Sequence, residues 1–133
     1  MIEEEAARAE LIKYRLEQSQ KMVEVAALLI ANNAIESAIN RIYYGMFYAV
    51  LALALQNSYE TSKHQQLLGW FNKEFIHTNK IDIKYGKMLK IAFEWRMKSD
   101  YETLTTFTLQ EAEQMLADMQ EFILKITVFI NQK

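Results

Sequence analysis

Apolar residues recur along this chain at alternating three- and four-residue steps, the spacing that puts side chains on one face of an α-helix. Between residues 3 and 31 the stripe is Ala9, Ile12, Leu16, Ser19, Val23, Ala26 and Ile30. Glu3, Glu4 and Glu5 precede it, and carboxylates in a first turn suit the positive end of the helix dipole. Asn32-Asn33 marks its end or a kink. A second helix is predicted over 34–57, with Ile35, Ile39, Ile42, Met46, Val50 and Leu53 on one face and Arg41, Tyr44, Gly45, Tyr48 and Ala52 on another. Beyond Asn40 it has no fully polar side, which predicts a central helix covered all round. Gly45 would let a neighbouring helix come close. Ser62-Lys63-His64-Gln65 fits a capping box that opens a third helix to about Ile76. A fourth runs from about Asp82 to Lys98, and the threonine-rich stretch from Asp100 to Phe107 reads as irregular. Thr108-Leu109-Gln110-Glu111 fits a second capping box. The last helix, to about Asn131, carries the stripe Leu109, Ala112, Leu116, Met119, Ile123, Ile126 and Ile130.

These patterns predict an all-α protein, an antiparallel helical bundle of about five helices in a single domain spanning 1–133. Composition agrees, with no proline and three glycines in 133 residues. A chain of this length can bury roughly 65–70% of its unfolded surface, so a core forms without staples. The absence of cysteine excludes disulfides and cysteine-based zinc sites. The start, MIEEEAARAE, is acidic where a signal peptide is basic. The longest uncharged apolar run, 42–55, has 14 residues, against the roughly 20 that span a bilayer. A soluble cytoplasmic protein with no membrane partner is expected. The stripes of the first and last helices are long compared with the third and fourth. Ordinary bundle packing accounts for most of each, and a second copy in a homodimer would take the surplus.

Charge and two arginines then change the picture. Net charge is −2, but residues 63–98 carry eight Lys/Arg against three Asp/Glu, and the rest of the chain seven against fourteen. Such segregation gives either a solvated lysine face or a face that attracts a polyanion. Arg41 is the only charge in the apolar run 41–55, and an arginine buried there would need partners. It reads as a polar anchor with Tyr43 and Tyr44, or as one wall of a basic groove. Arg96 stands four residues before Asp100, with Tyr101 beside it. That spacing allows an intrahelical ion pair, while the planar guanidinium suits a phosphate equally well. Tyr48 reads as core or interface. His64, at a helix start where the dipole disfavours its protonation, reads as a packed or capping residue. His77 reads as solvent-facing. Two histidines so far apart give no metal site, and no cofactor motif is present.

Three fragments together resemble the HEPN domain family, in its small prokaryotic branch. AINRIYYGMFYAVLALAL is similar to that branch's central helix, with its A..R.YY..F.A...L pattern; SKHQQLLGWFNKEFI is similar to a KH....F...F segment; RMKSDY is similar to R..(A/S)DY. The resemblance covers about residues 5–128. It implies HEPN topology, frequent dimerisation, a small nucleotidyltransferase as partner, and work in toxin–antitoxin or defence systems. It also implies a ligand-binding cluster of Arg41, Tyr44, Arg96, Asp100 and Tyr101 for a nucleotide or RNA phosphate. Catalytic members resemble metal-independent RNases with an R-x4-6-H motif. Here Tyr101 takes the histidine's place after Arg96, and a tyrosine with an ordinary pKa near 10 exchanges protons poorly at neutral pH. The expected protein is therefore a non-catalytic or weakly active module. The alternatives are an RNase toxin using Arg96 with a substitute proton donor, for which Tyr101 and His64 are candidates, and a dimeric helical scaffold without ligand.

Overall fold

The computed structural model describes residues 2–102 and 106–132. Their order is α1 (Ile2–Ala31), α2 (Ile35–Gln56), α3 (His64–Phe71), a π-helical turn (Asn72–Ile76), α4 (Ile83–Tyr101) and α5 (Leu109–Asn131). No strand occurs among the described residues. The five helices are those that the periodicity predicts.

Asn33 closes α1 in the left-handed conformation (φ 59°). Asn33 N–H donates to Ile30 O (3.0 Å) and Ala34 N–H to Leu29 O (2.8 Å), the paired bonds of a Schellman ending. Such a short turn folds α2 back along α1, and the two pack along their length. At their crossing Gly45 is indispensable. A Cβ there would overlap Met119 Cε and lie 3.0 Å from Met22 Cβ. The fully buried Ser19 uses that closeness to donate its hydroxyl to Gly45 O at 2.8 Å.

α2 is the centre of the bundle and touches every other helix. Ile39, Ile42, Met46, Val50 and Leu53 are fully buried, as the stripe predicts. By length and composition α2 is apolar enough to cross a membrane, despite the shorter uncharged run within it; 67% of that window is buried inside the bundle. One strip of α2 is left open, however. Glu36, Ser37 and Arg41 are exposed, and Asn40, Tyr44 and Tyr48 only partly covered. The expectation of a helix covered all round fails on this side, because only the end of α4 reaches the first turns of α2.

The predicted capping box at Ser62 does not form. Lys63 is the N-cap residue and caps nothing with its side chain. Instead Thr61 Oγ1 accepts from Lys63 N–H (3.2 Å) and donates to Gln66 Oε1 (2.6 Å). After α3 the helix widens through Asn72–Ile76, with His77 N–H donating to Asn72 O at 2.8 Å, a five-residue bond. This extra residue brings both Phe75 and Ile76 into the core. Asp82 caps α4 through Lys84 N–H (2.9 Å). The predicted box at Thr108 is complete, with Thr108 Oγ1 and Glu111 exchanging bonds of 3.0 and 2.9 Å. Glu121 ties α5 to α4, accepting from Lys84 Nζ (2.6 Å) and from the Tyr85 hydroxyl (3.1 Å). The hydrogen bond from Lys84 is the largest cause holding the Glu121 carboxyl below its ordinary pKa.

α4 runs three residues beyond Lys98. Its last turn is pinned to the start of α2, with Ser99 Oγ donating to Glu36 O (3.2 Å) and Asn40 Nδ2 to both Asp100 oxygens (3.3 and 3.4 Å). These anchors carry helix into a segment whose threonines predict irregular chain. Of that segment, residues 103–105 lie outside the described residues.

Candidate functional site

The pinned end of α4 sets Arg96 against the open strip of α2. Its Nε donates to Asp100 Oδ2 at 3.2 Å, the ion pair that the four-residue spacing allows. Its Nη2 donates to the Tyr44 hydroxyl at 3.2 Å. The guanidinium carbon lies 5.4 Å from the Tyr43 ring centre and 5.3 Å from that of Tyr44, within reach of both π faces. The Arg96 side chain keeps 15% of its exposure. It is oriented by fixed partners and still opens to solvent.

The fold also delivers His64 to this cluster from α3. Its imidazole stacks on Phe47 (centroids 4.0 Å apart, planes 17°) and meets the edge of Tyr44 (5.8 Å). Its Nδ1 lies 3.3 Å from the Tyr43 hydroxyl. Burial pulls the His64 pKa below its ordinary value, and the Arg96 charge pulls the same way. Tyr43 is fully buried. Burial raises its phenol far above the ordinary range, although Arg96 opposes this. At neutral pH the pair is therefore an un-ionised phenol beside a neutral imidazole.

Arg41 is not the buried anchor that its apolar surroundings suggest. It is exposed and makes no ion pair or hydrogen bond with other described residues. It lines a shallow depression of about 220 Å³ with Glu36, Ser37, Asn40, Ser99 and Asp100. Solvent reaches the open strip of α2 at this point, so the charge needs no buried partner. Tyr101 is 70% exposed at the end of α4. Tyr48 is half-buried beside Tyr14 and Lys21 of α1. His77 is exposed, as expected.

The structure thus joins Arg96, Asp100, Tyr44 and His64 in one cluster, with Arg41 on its rim and Tyr101 next to it in the chain. Sequence reasoning does not find Asn40, which steadies Asp100, or Phe47, which carries His64. Phe47 lies one helical turn beyond Tyr43 and Tyr44, and that recurrence of aromatic residues is the available signal. Among the described residues no group of three or more His, Asp or Glu could hold a metal ion. The arrangement offers hydrogen-bond donors and positive charge around one aspartate, chemistry suited to an acidic oxygen.

A five-helix bundle carrying an arginine-centred polar cluster at the end of its fourth helix defines the class, and the comparisons name it. The HEPN domain model matches residues 12–128, and the chain belongs to the HEPN domain family. It is 34% identical over 116 residues to a UPF0332 protein of Thermotoga maritima, covering 87% of this chain and 88% of that protein. It is 32% identical over 118 residues to a protein of Methanocaldococcus jannaschii named as a candidate toxin, covering 89% and 80%. A second protein of that archaeon, also named as a candidate toxin, is 27% identical over 117 residues, covering 88% and 87%.

Proposed function

We propose that this chain is a toxin-like HEPN module of the cytoplasm whose Arg96 cluster binds the phosphate of an RNA or a nucleotide. The observation that carries the reading is the preset guanidinium, held by Tyr44 and Asp100 across two aromatic rings with neutral His64 beside it. Arg41 adds an unpaired cation on the rim. Asp100 already holds one edge of the guanidinium, so a phosphate approaches the remaining N–H groups and competes with that carboxylate. Binding measured at low salt with a short RNA and with adenosine 5′-monophosphate tests this. Affinity falls steeply with salt, because neutralised phosphates release counterions. Arg96→Ala weakens it more than Lys73→Ala does. Absence of binding to both ligands leaves the scaffold reading.

The module works as a homodimer and partners a small nucleotidyltransferase in this proposal. Support comes from the family and from apolar side chains left exposed on the long helices, such as Leu28 of α1 and Leu124 of α5. Light scattering at high micromolar concentration that shows only monomer overturns the dimer. Failure to co-purify with a nucleotidyltransferase encoded beside the gene overturns the partnership.

A second reading, a metal-independent RNase, is favoured by one observation. Folding supplies from α3 a histidine beside Arg96 that the R-x4-6-H motif lacks here. Robust RNA cleavage by metal-free protein, abolished by both Arg96→Ala and His64→Ala, would replace the first reading with this one. Loss through Tyr101→Phe instead would assign the chemistry to tyrosine.

A further inference from the structure

His64 can present either a hydrogen or a lone pair to the site, and its neighbour decides which. The Tyr43 hydroxyl is buried and has one hydrogen-bond partner, His64 Nδ1 at 3.3 Å. If Nδ1 carried the hydrogen, the phenol oxygen would accept it and the phenol O–H would be left in the core without an acceptor. An unmade bond from a buried donor is costly, whereas a spare lone pair on a bonded oxygen costs less. The phenol therefore donates and Nδ1 accepts. The hydrogen of the neutral ring then sits on Nε2, since the bond made by one ring nitrogen fixes the state of the other. The surroundings support both roles. Burial keeps the phenol protonated, and the Arg96 cation over its ring makes it a better donor. Burial and the same cation keep His64 from becoming imidazolium.

His64 Nε2 bonds to no described residue, and it is absent from the buried polar atoms without a partner. It is open to solvent beside the guanidinium. Resting on the phosphate reading above, we infer that Tyr43 is a positioning residue that locks His64 as the Nε2–H tautomer, so that His64 and Arg96 together donate to the oxygens of a phosphate ester. A phosphate is acceptor-only when ionised and matches two converging donors. The same lock argues against His64 as the base that would deprotonate a ribose hydroxyl, because its exposed nitrogen already carries a hydrogen.

Nitrogen-15 NMR of the imidazole, on the intact protein above pH 6.5, reads the tautomer directly. The expected spectrum has Nδ1 unprotonated and Nε2 protonated. In Tyr43→Phe the Nδ1 resonance moves towards that of free, averaging imidazole. Titration with inorganic phosphate and with adenosine 5′-monophosphate shifts the Nε2 signal. Tyr43→Phe lowers both affinities about three- to tenfold, the worth of one oriented hydrogen bond. A wild-type spectrum with the hydrogen on Nδ1 overturns the inference, and it does so even if Tyr43→Phe fails to fold. Unchanged tautomer and affinity in a folded Tyr43→Phe overturn it as well. The expected tautomer without any response to either phosphate overturns the ligand half, and the proposed phosphate site falls with it.

Discussion

The imidazole of His64 lies flat on the ring of Phe47, with centroids 4.0 Å apart and planes inclined by 17°. One residue opens α3 and the other lies midway along α2, so the contact fixes where α3 begins relative to the central helix. It also withdraws one face of the imidazole from water.

That withdrawal makes stability depend on pH. The folded pKa of His64 lies below its ordinary 6.5, chiefly through burial and then through Arg96. In the window just below 6.5 the unfolded chain binds more protons than the folded one. Stability therefore rises with pH there and is lost as pH falls from 6.5 towards the folded pKa. Urea denaturation across that window should show this slope, and His64→Gln should flatten it. An unchanged slope in the variant would place the titrating group elsewhere.

Gly45→Ala should destabilise the bundle. The added methyl meets Met119, which is fully buried, and Met22 Cβ at 3.0 Å. Overpacking of this kind costs about 1–3 kcal/mol, against a gain in helix propensity of about 1 kcal/mol. A net loss on the order of 1 kcal/mol in a urea titration is expected. A stabilised variant would mean that α1 and α2 separate more easily than their packing suggests.

Arg41→Ala should leave the denaturation midpoint within about 0.5 kcal/mol of wild type, as for an exposed surface residue. Its effect belongs to binding. Loss of one contact to single-stranded RNA lowers the slope of log affinity against log salt by about 0.7. A large fall in stability would show that the guanidinium is not solvated.

Asp100→Asn should strengthen phosphate binding. The carboxylate lies 3.2 Å from Arg96 Nε and is partly exposed, so the pair is screened and worth about 0.2–1 kcal/mol. Removing its charge should raise affinity for adenosine 5′-monophosphate about two- to fivefold, measured calorimetrically. A weaker complex would indicate that Asp100 orients Arg96 more than it competes with the ligand.

The helices were legible because their causes are local. The stripes of α2 and α5, the glycine at the crossing and the box at Thr108 each depend on residues close in sequence. Arg41 misleads for the same reason. Apolar neighbours along the chain say nothing about whether another helix covers that side. The end of α4 is misread because Asn40 and Glu36, which hold Asp100 and Ser99, lie about sixty residues earlier. At Ser62, the pattern of the box is present but Thr61 takes the bonding role. Within the site, the pair of Arg96 and Asp100 follows from spacing alone. The arrival of His64 does not, since only the packing of α3 onto α2 brings it there.

The widened turn Asn72–Ile76 carries a consequence for ancestry. A five-residue bond holds one residue more than an α-helical turn requires. The segment therefore behaves as an insertion absorbed without breaking the helix that hosts it. Deleting one residue there would return an ordinary α-helix and rotate everything after it by roughly a quarter turn, at 3.6 residues per turn. Phe75 and Ile76 could not then both stay in the core. Relatives that lack the extra residue should have rewritten these two positions together, leaving a paired substitution as the trace of the event.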